Sequence, residues 1–250
     1  MNSSTGQNYY DYVLMDPCSE ETQKFLNAAK NARPCSGANQ GYEEKLYKQA
    51  IAQSIKQTDH TVTRSVVVAH CDEDLTWMQS LDSTLGKFVY SKGKNIVGEK
   101  LPNIGREYHT YFTHIITHWN DLTDVVFFLQ GWPLDRSAHV ISGVNYLRHF
   151  DYIEFGTNIL ETGPVGDQLF NFLTFLFGPS DRRSCSRKPW EFRANTQFGA
   201  SRDGIRRRPK EFYEMCLEVC EKGVPSLKIS IDTVPFLFEQ IWSYIFQPRL

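Results

Sequence analysis

The sequence predicts an α/β protein whose central sheet is mostly parallel and is flanked by helices. Two apolar runs of strand length, residues 66–69 and 125–129, are rich in β-branched and aromatic side chains, which is typical of strands buried on both faces. Apolar side chains between them recur every three or four residues, so a helix with one apolar face is predicted over residues 106–119. This alternation of strand and helix is characteristic of parallel sheets.

The other elements follow from the same periodicities and from turn residues. Residues 63–70 and 87–91 are predicted strands, with a short helix at 75–81 between them and a turn at 92–95 after them. Beyond residue 131 the pattern predicts a helical or mixed stretch at 135–150, a buried helix at 165–177, a basic loop at 181–195, a strand at 196–201, a helix at 209–221 and a last helix capped by Asp232. Because two more helices are predicted at 19–32 and 42–57, we expect a tail and helical extension over 1–62 and a single domain over 63–250.

The composition favours a folded protein of the cytoplasm. Hydrophobic residues make up 41% of the 250 residues, which is ample for a buried core. No apolar run reaches the length of about 18 residues that a membrane span needs, and the first residues lack the pattern of a secretory signal. Six cysteines without a Cys-x-x-Cys pair indicate reduced thiols. We therefore expect no contact with a membrane.

The net charge is small but unevenly distributed. The whole chain carries −2, whereas residues 181–210 contain ten Lys or Arg against three acids, a local excess of +7. Aromatic residues interrupt this segment. A basic stretch of this kind either binds phosphates or a nucleic-acid backbone, or it is a solvated loop. Both interpretations stay open at the level of sequence.

Several motifs that would name a cofactor or a nucleophile are absent. Neither G-x-x-x-x-G-K-[ST] nor G-x-G-x-x-G occurs, so no ATP hydrolysis and no dinucleotide cofactor is predicted. The G-x-S-x-G motif of hydrolases is also missing. His114 and His118 have the spacing of a zinc-binding helix but lack the accompanying Glu. They are interpreted as partly exposed helix histidines, and no metal site is predicted.

Acidic and amide side chains collect where the predicted strands end. Asp72, Glu73 and Asp74 follow the first strand, at the edge of a parallel sheet where ligands bind. They suit a cation, a ribose hydroxyl or a guanidinium, or else they form a solvated turn in which Asp74 caps a helix. Glu107 opens the helix at 106–119 and is either a general base or ligand anchor, or a favourable first-turn charge. Glu239 stands alone on an aromatic-rich helix, either exposed or as a buried acid with a shifted pKa.

Six segments of the chain together resemble one domain family, largely fungal and long of unknown function. They begin with Val66-Val-Val-Ala-His-Cys-Asp-Glu-Asp, Tyr90-Ser-Lys-Gly, Leu101-Pro-Asn-Ile-Gly-Arg-Glu-Tyr-His, Val125-Val-Phe-Phe-Leu-Gln-Gly, Gln197-Phe-Gly-Ala-Ser-Arg-Asp-Gly and Phe238-Glu-Gln-Ile-Trp, and the resemblance covers about residues 64–248. The family is similar in fold to glycosyltransferases of the GT-A type. It includes arginine-containing cyclodipeptide synthases, which join arginine from arginyl-tRNA to a second amino acid.

The chain departs from the family pattern at defined places. The first-strand motif usually reads Ala-Arg-Tyr-Asn-Glu-Asp, where this chain has Ala69-His-Cys-Asp-Glu-Asp, and Ser91 stands where Asn is usual. Many relatives carry an N-terminal membrane anchor, and none is predicted here. A GT-A transferase normally has an Asp-x-Asp pair after the central strand to hold a divalent metal, and no such pair follows Leu129. This departure argues against metal-dependent sugar transfer.

The resemblance implies a tRNA-dependent cyclodipeptide synthase that makes a diketopiperazine for secondary metabolism. Its partners would be arginyl-tRNA and a second aminoacyl-tRNA, with no cofactor and no stable protein partner. Glu107 or His109 would act as the base, Gln130 would orient the ester carbonyl, and Ser201 would be the nucleophile if an acyl-enzyme forms; direct attack of one amino acid on the other is equally open. The remaining expected site residues are Asp74 and Glu239 for catalysis, Asp72, Glu73, Arg106 and Trp132 for the substrate, and Arg202, Arg206, Arg207, Arg208 and Lys210 for tRNA.

Two other functions compete with this prediction. One is a GT-A-like glycosyltransferase that uses a sugar nucleotide and has a changed metal site. The other is a non-catalytic binding module on a degenerate transferase fold. Binding of a nucleotide diphosphate would favour the first, and full function after Glu107→Ala and Asp74→Ala would favour the second.

Overall fold

Within the residues that the structure describes, six strands form the central sheet, and four of them are parallel. They are β1 (Arg64–His70), β2 (Gly86–Ser91), β3 (Glu99–Lys100), β4 (Val125–Gln130), β5 (Tyr152–Glu154) and β8 (Phe198–Ser201), in the spatial order β3-β2-β1-β4-β8-β5. The first four of these strands pair in parallel, whereas β8 is antiparallel to both β4 and β5. Two further strands, β6 (Ile159–Pro164) and β7 (Pro189–Arg193), form a separate antiparallel pair.

The computed structural model describes residues 61–135, 140–155, 159–164, 166–178, 189–193 and 196–246. The predicted tail and helical extension of residues 1–62 lies almost entirely outside the described residues, as does the most basic part of the predicted loop at 181–195. The prediction of an α/β protein with a mostly parallel sheet flanked by helices is confirmed. The two antiparallel strands make the sheet mixed.

Helices cover both faces of the sheet. They are α1 (Arg106–Thr117), α2 (Val140–Tyr146), α3 (Asp167–Phe177), α4 (Arg202–Arg206), α5 (Lys210–Lys222), α6 (Val234–Glu239) and α7 (Trp242–Phe246). β1 contributes side chains to both cores, because Val67 and Ala69 join one cluster and Val66 and Val68 join the other. This double burial explains why the strand reads as a continuous apolar run.

The larger core lies between the sheet and the helices α1, α3, α5, α6 and α7. Its centre is Trp242, whose ring stacks on Tyr108 with 5.2 Å between the ring centroids and lies 4.6 Å from the ring of Phe198. Trp242 and Tyr108 are almost completely buried. The smaller core on the other face is covered by α2 and by the 3-10 helix Thr76–Ser80, which buries Trp77.

Three element predictions require correction. Residues 189–193, predicted as loop, form strand β7, because they pair with a strand that was not predicted, β6. The last helix is two short helices, α6 and α7, separated by a turn in which the backbone amide of Ile241 bonds to the carbonyl of Phe238. Its N-cap is Thr233 rather than Asp232. Apolar residues keep a spacing of three or four across this turn, so the sequence pattern predicts one continuous helix.

His114 is a buried part of the larger core, and the prediction of a partly exposed side chain was wrong. It is 1% exposed, its Nδ1 lies 3.0 Å from the hydroxyl of Tyr90, and its ring packs against Phe88. Burial, and to a lesser extent the charge of His118, lowers the pKa of His114 to about 3. The i, i+4 histidine pair therefore contributes to packing.

Cys216 and Cys220 also serve packing. Both lie on α5, and both side chains are fully buried among apolar neighbours.

Among the residues that the structure describes, no group of three His, Cys, Asp or Glu side chains is arranged to hold a metal ion. Within the same part of the chain, none of the helices has both the length and the apolar character that crossing a bilayer requires.

The buried His114 predicts a specific loss of stability at mildly acidic pH. The unfolded chain takes up a proton on this histidine near pH 6.5, whereas the folded protein resists protonation until about pH 3. Stability is therefore lost as the pH falls below 6.5. Between pH 6.5 and pH 5 the wild type should lose about 1.5 kcal/mol more than His114→Gln.

The measurement is the free energy of unfolding in urea at several pH values for both proteins. His118→Gln is the matched control, because His118 directly follows α1 and is more exposed than His114. A pH dependence of His114→Gln equal to that of the wild type would contradict the assignment.

Candidate functional site

The carboxyl ends of three parallel strands meet at one edge of the sheet. Ser91 at the end of β2 pairs with His70, the last residue of β1. Gln130 at the end of β4 pairs with Ala69, which precedes His70 in β1. The segments that follow these strands therefore leave the sheet side by side. This is the edge at which open α/β sheets bind ligands, and we call it the carboxyl edge.

The central pair at the carboxyl edge is Glu107 with Gln130. The amide nitrogen Nε2 of Gln130 donates a hydrogen bond of 2.7 Å to Oε1 of Glu107, and both side chains are half-buried. The structure thus brings together two residues that the sequence placed on different elements. The amide of Gln130 holds the Glu107 carboxylate, and the role of Gln130 in orienting an ester carbonyl stays a prediction.

Glu107 owes its position to an unusual start of α1. Gly105 and Arg106 both have left-handed backbone conformations, with φ of 59° and 48°. At Gly105 a Cβ atom would lie 2.8 Å from the Cβ of Cys220, so only glycine allows α1 to approach α5 this closely. Arg106 has no such freedom, and a non-glycine residue in this region is strained. Strain of this kind at the edge of a site is typical of functional positions.

Lys92 is a site residue that the sequence analysis missed. It follows β2 and is only 8% exposed. Its Nζ donates to the carbonyl of Ile104 at 2.6 Å and to the carbonyl of Arg106, on either side of Gly105. Burial lowers the pKa of Lys92 to about 8, although nearby acidic groups, including Glu107, oppose the shift. The signal was present in Tyr90-Ser-Lys-Gly, where a lysine directly follows a strand.

The three acids after β1 have three different roles. Asp72 accepts hydrogen bonds from the backbone amides of Lys94 (3.0 Å) and Asn95 (2.6 Å), which lower the pKa of its carboxyl group. Asp74 accepts from the amide and the hydroxyl of Thr76, the first residue of the 3-10 helix, and these bonds lower its pKa. The N-cap of this helix is Leu75, so Asp74 lies in a solvated turn but is not the predicted cap. Asp72 organises the neighbouring loop.

Glu73 is the acid of this turn that lies at the centre of the carboxyl edge. Its Oε2 accepts from the backbone amide of Cys71, and its carboxylate lies against Gly131, where a Cβ atom would clash with Oε2. The carbonyl of Gly131 in turn accepts a hydrogen bond of 2.8 Å from the indole of Trp77. Glu73 and Glu107 thus both lie next to the end of β4.

The other predicted residues of this region are less central. His109 is buried between α1 and α5, where its Nε2 lies 3.3 Å from Glu221, and burial followed by the charge of Lys92 lowers its pKa. It is therefore poorly placed to act as a base on a bound substrate. Glu239 is half-buried near Tyr108 on the side of α6. Trp132 is 40% exposed just beyond the end of β4.

Ser201 lies at the opposite edge of the sheet. It pairs with Val125, the first residue of β4, because β8 is antiparallel to β4. Five residues of an extended strand separate Val125 from Gln130, a distance of about 16 Å. The Ser201 hydroxyl accepts a hydrogen bond of 2.9 Å from the amide of Gly204 and caps α4. The structure does not bring Ser201 together with Glu107.

The five predicted tRNA-binding residues lie around the same opposite edge, which we call the amino edge, and each is engaged with the protein. Three form ion pairs with carboxylates, one bonds to a backbone carbonyl, and one stacks on an aromatic ring. These contacts are Arg202 with Asp124 (2.7 Å), Arg207 with Asp151 (2.9 Å), Lys210 with Glu214 (3.8 Å), Arg206 with the carbonyl of Trp119 (2.8 Å) and Arg208 over the ring of Phe177 (4.7 Å). Much of their charge therefore serves the packing of α4 and α5.

A cavity of about 480 Å³ opens at the amino edge beside Ser201 and Arg202. Asp124, Asp151 and Asp203 contribute to its lining. Two of these acids are already paired with arginines, Asp124 with Arg202 and Asp151 with the adjacent Arg207. The cavity is consequently rich in charge that is largely compensated within the protein.

Comparison with known proteins adds one match. A family model described as "Protein of unknown function (DUF3431)" matches residues 66–152. The matched segment extends from β1 into β5 and contains Glu73, Lys92, Glu107 and Gln130, whereas Ser201 and the residues of the amino edge on α4 and α5 follow it. No curated protein and no solved structure matches the chain.

The buried amine of Lys92 predicts a rise of stability at alkaline pH. The unfolded chain keeps this proton up to about pH 10.5, whereas the folded protein releases it near pH 8. Relative to Lys92→Met, the wild type should therefore gain up to about 3 kcal/mol between pH 7 and pH 10.5. Unfolding in urea across this range measures the difference, with Lys87→Met as an exposed control. A difference that stays constant with pH would show that Lys92 is not buried as a cation.

Proposed function

We propose that this protein is a tRNA-dependent cyclodipeptide synthase, which joins arginine from arginyl-tRNA to a second amino acid in a diketopiperazine for secondary metabolism. The observation that carries the proposal is the pairing of Glu107 with Gln130 beside Glu73 at the carboxyl edge. The motifs that resemble the synthase family supply these three residues. The proposed function also explains why an ATP-binding motif is unnecessary, since an aminoacyl ester is already activated.

We also propose that the sheet is a GT-A-like fold. In support of this, β3, β2, β1 and β4 are adjacent and parallel, and an acidic turn follows β1. The antiparallel strand β8 then continues the sheet beyond β4. A single domain of this kind would place its substrates across the carboxyl edge.

The two central carboxylates suit a substrate that carries positive charge. A guanidinium forms two parallel hydrogen bonds with one carboxylate, and such charge-assisted pairs are stronger than neutral ones. Asp72 and Asp74 each use both carboxylate oxygens in hydrogen bonds to the chain, whereas Glu73 uses Oε2 in its bond to the amide of Cys71. Glu73 is therefore the favoured anchor for the arginine side chain, which leaves Glu107 for the reacting amine.

The reaction proceeds by two aminoacyl transfers. The α-amine of one aminoacyl group transfers a proton to Glu107 and attacks the ester carbonyl of the other; a C–N bond forms, the C–O bond of the ester breaks, and the departing ribose oxygen takes up the proton. The remaining α-amine then attacks the second ester in the same way, which closes the ring and releases the second tRNA. Gln130 holds Glu107 in place throughout. The distance of Ser201 from this pair favours direct attack over an acyl-enzyme on that serine.

Glu107→Gln tests the assignment of the base. The variant retains an oxygen that accepts the hydrogen bond from Gln130 but no longer accepts a proton at neutral pH. Cyclodipeptide formation should fall by roughly 100-fold or more, as expected for loss of a general base. The product is a dehydrated arginine-containing dipeptide, detected by mass spectrometry in a cell-free reaction that ribonuclease abolishes.

Asp74→Asn is the matched control, because Asp74 lies in the same acidic region but uses both carboxylate oxygens to bind Thr76. Its product yield should stay within a few-fold of the wild type. Equal activity of Glu107→Gln and the wild type would remove Glu107 from the mechanism. A wild-type protein that forms no such product with charged tRNAs would refute the proposed function itself.

A GT-A-like glycosyltransferase is the second candidate. The parallel strand order and the acidic turn after β1 also favour this function, because a sugar nucleotide would occupy the same edge. Calorimetric titration with a uridine diphosphate sugar and manganese distinguishes the two. Tight binding of that ligand, without cyclodipeptide formation, would favour glycosyl transfer.

A further inference from the structure

The carboxyl edge is surrounded by exposed aromatic and basic side chains. Five residues form this rim, which we call the carboxyl-edge rim: Lys94, Lys100, Arg106, Trp132 and Phe236. Trp132 and Phe236 are large apolar side chains that remain 40% and 50% exposed. Such rings at the mouth of a polar site are typical of surfaces that stack planar ligands.

The first part of the rim is a stack of Arg106 on Phe236. The guanidinium carbon of Arg106 lies 4.8 Å from the centroid of the Phe236 ring. Arg106 has the strained φ of 48° and directly precedes Glu107. Its exposed plane therefore stands next to the proposed base. Both aromatic rings and arginine planes stack on nucleobases.

The second part of the rim is Trp132, which is fixed by its neighbours. The carbonyl of Gly131 accepts from the indole of Trp77 at 2.8 Å, and the carbonyl of Pro133 accepts from the amide of Gln197 at 3.1 Å. The backbone on both sides of Trp132 is thus anchored to buried side chains. A ring carried on an anchored backbone loses less conformational entropy on stacking than one on a mobile loop.

Cations and acids both surround the carboxyl edge. The half-buried carboxylates of Glu73 and Glu107 lie nearer its centre, and the exposed Lys94, Lys100 and Arg106 stand around them together with the exposed acids Asp72, Asp74 and Glu99. The carboxylate of Asp72 is engaged with the backbone of the Lys94 loop, and Lys100 pairs with Ser91 at the end of β2. The exposed cations suit phosphates, and the central carboxylates suit a cationic group.

We propose that the carboxyl-edge rim binds the single-stranded 3′ end of a tRNA, with bases stacked on the Arg106–Phe236 pair and on Trp132 and phosphates beside Lys94 and Lys100. The inference rests on the proposed function and names the RNA contact of that site. The proposed RNA contact is therefore at the carboxyl-edge rim and not at the five residues expected from the sequence: Arg202, Arg206, Arg207, Arg208 and Lys210. Their partners at the amino edge compensate much of their charge, and that edge lies far from Glu107.

The test is binding of a fluorescent single-stranded RNA ending in CCA to the full chain, followed by anisotropy at two salt concentrations. Phe236→Leu and Trp132→Leu keep apolar volume but remove the π face, and each should weaken binding at least tenfold. Phe236→Tyr should bind like the wild type. Lys94→Ala/Lys100→Ala should also reduce the salt dependence of log K by about 1.4, which corresponds to two phosphate contacts on a single strand.

Arg206→Ala and Lys210→Ala at the amino edge are the matched controls, and each should change the affinity by less than twofold. Circular dichroism confirms that each variant is folded. A larger loss of affinity in these controls than in the rim variants would overturn the proposal, as would rim variants that bind the RNA like the wild type. Rim variants that lose affinity only for a uridine diphosphate sugar would overturn it as well.

Cyclodipeptide formation is measured separately, so that the two proposals fail in different ways. If the wild type forms no product but the rim variants lose RNA affinity, the proposed function fails and the RNA site stands. If the wild type forms the product and the rim variants retain both RNA affinity and product yield, the RNA site fails and the function stands.

Discussion

The hydrogen bonds of Lys92 to the carbonyls of Ile104 and Arg106 connect the sheet to the start of α1, and the rest of the site depends on this connection. Lys92 leaves β2 at the carboxyl edge, and the two carbonyls flank the left-handed Gly105. The same helix then buries Tyr108 and Phe112 in the larger core. Because one rigid element carries both the core residues and Glu107, packing against α5 fixes the carboxylate relative to Gln130.

The parts of the fold that the sequence predicted are those set by local patterns. The strands β1 and β4 are continuous apolar runs because both of their faces are buried, and α1 has one apolar stripe because one face meets the core. The carboxyl ends of β1 and β4 therefore lie at the same edge of the sheet, as expected. At this edge Gln130, the last residue of β4, binds Glu107 at the start of α1. The pairing of Glu107 with Gln130 itself depended on long-range packing that no local pattern encodes.

The position of Ser201 shows what local patterns do not contain. The sequence predicted a short strand at residues 196–201. It did not predict the direction of this strand or the strand with which it pairs. Antiparallel pairing of β8 with β4 puts Ser201 at the start of β4, whereas parallel pairing would have put it near Gln130. Local charge is incomplete information for a related reason. A count of arginines does not reveal partners such as Asp124 and Asp151, which come from distant parts of the chain.

The two edges of the sheet therefore differ in how their charges are compensated. At the amino edge, arginines and acids pair with each other, so the protein balances these charges itself. At the carboxyl edge, the neutral amide of Gln130 holds the Glu107 carboxylate, Glu73 lies against Gly131, and Lys92 donates to carbonyls. A carboxylate in such a position attracts a ligand that brings positive charge. Under the proposed function arginine supplies this charge, because its guanidinium suits Glu73 and its α-ammonium suits Glu107.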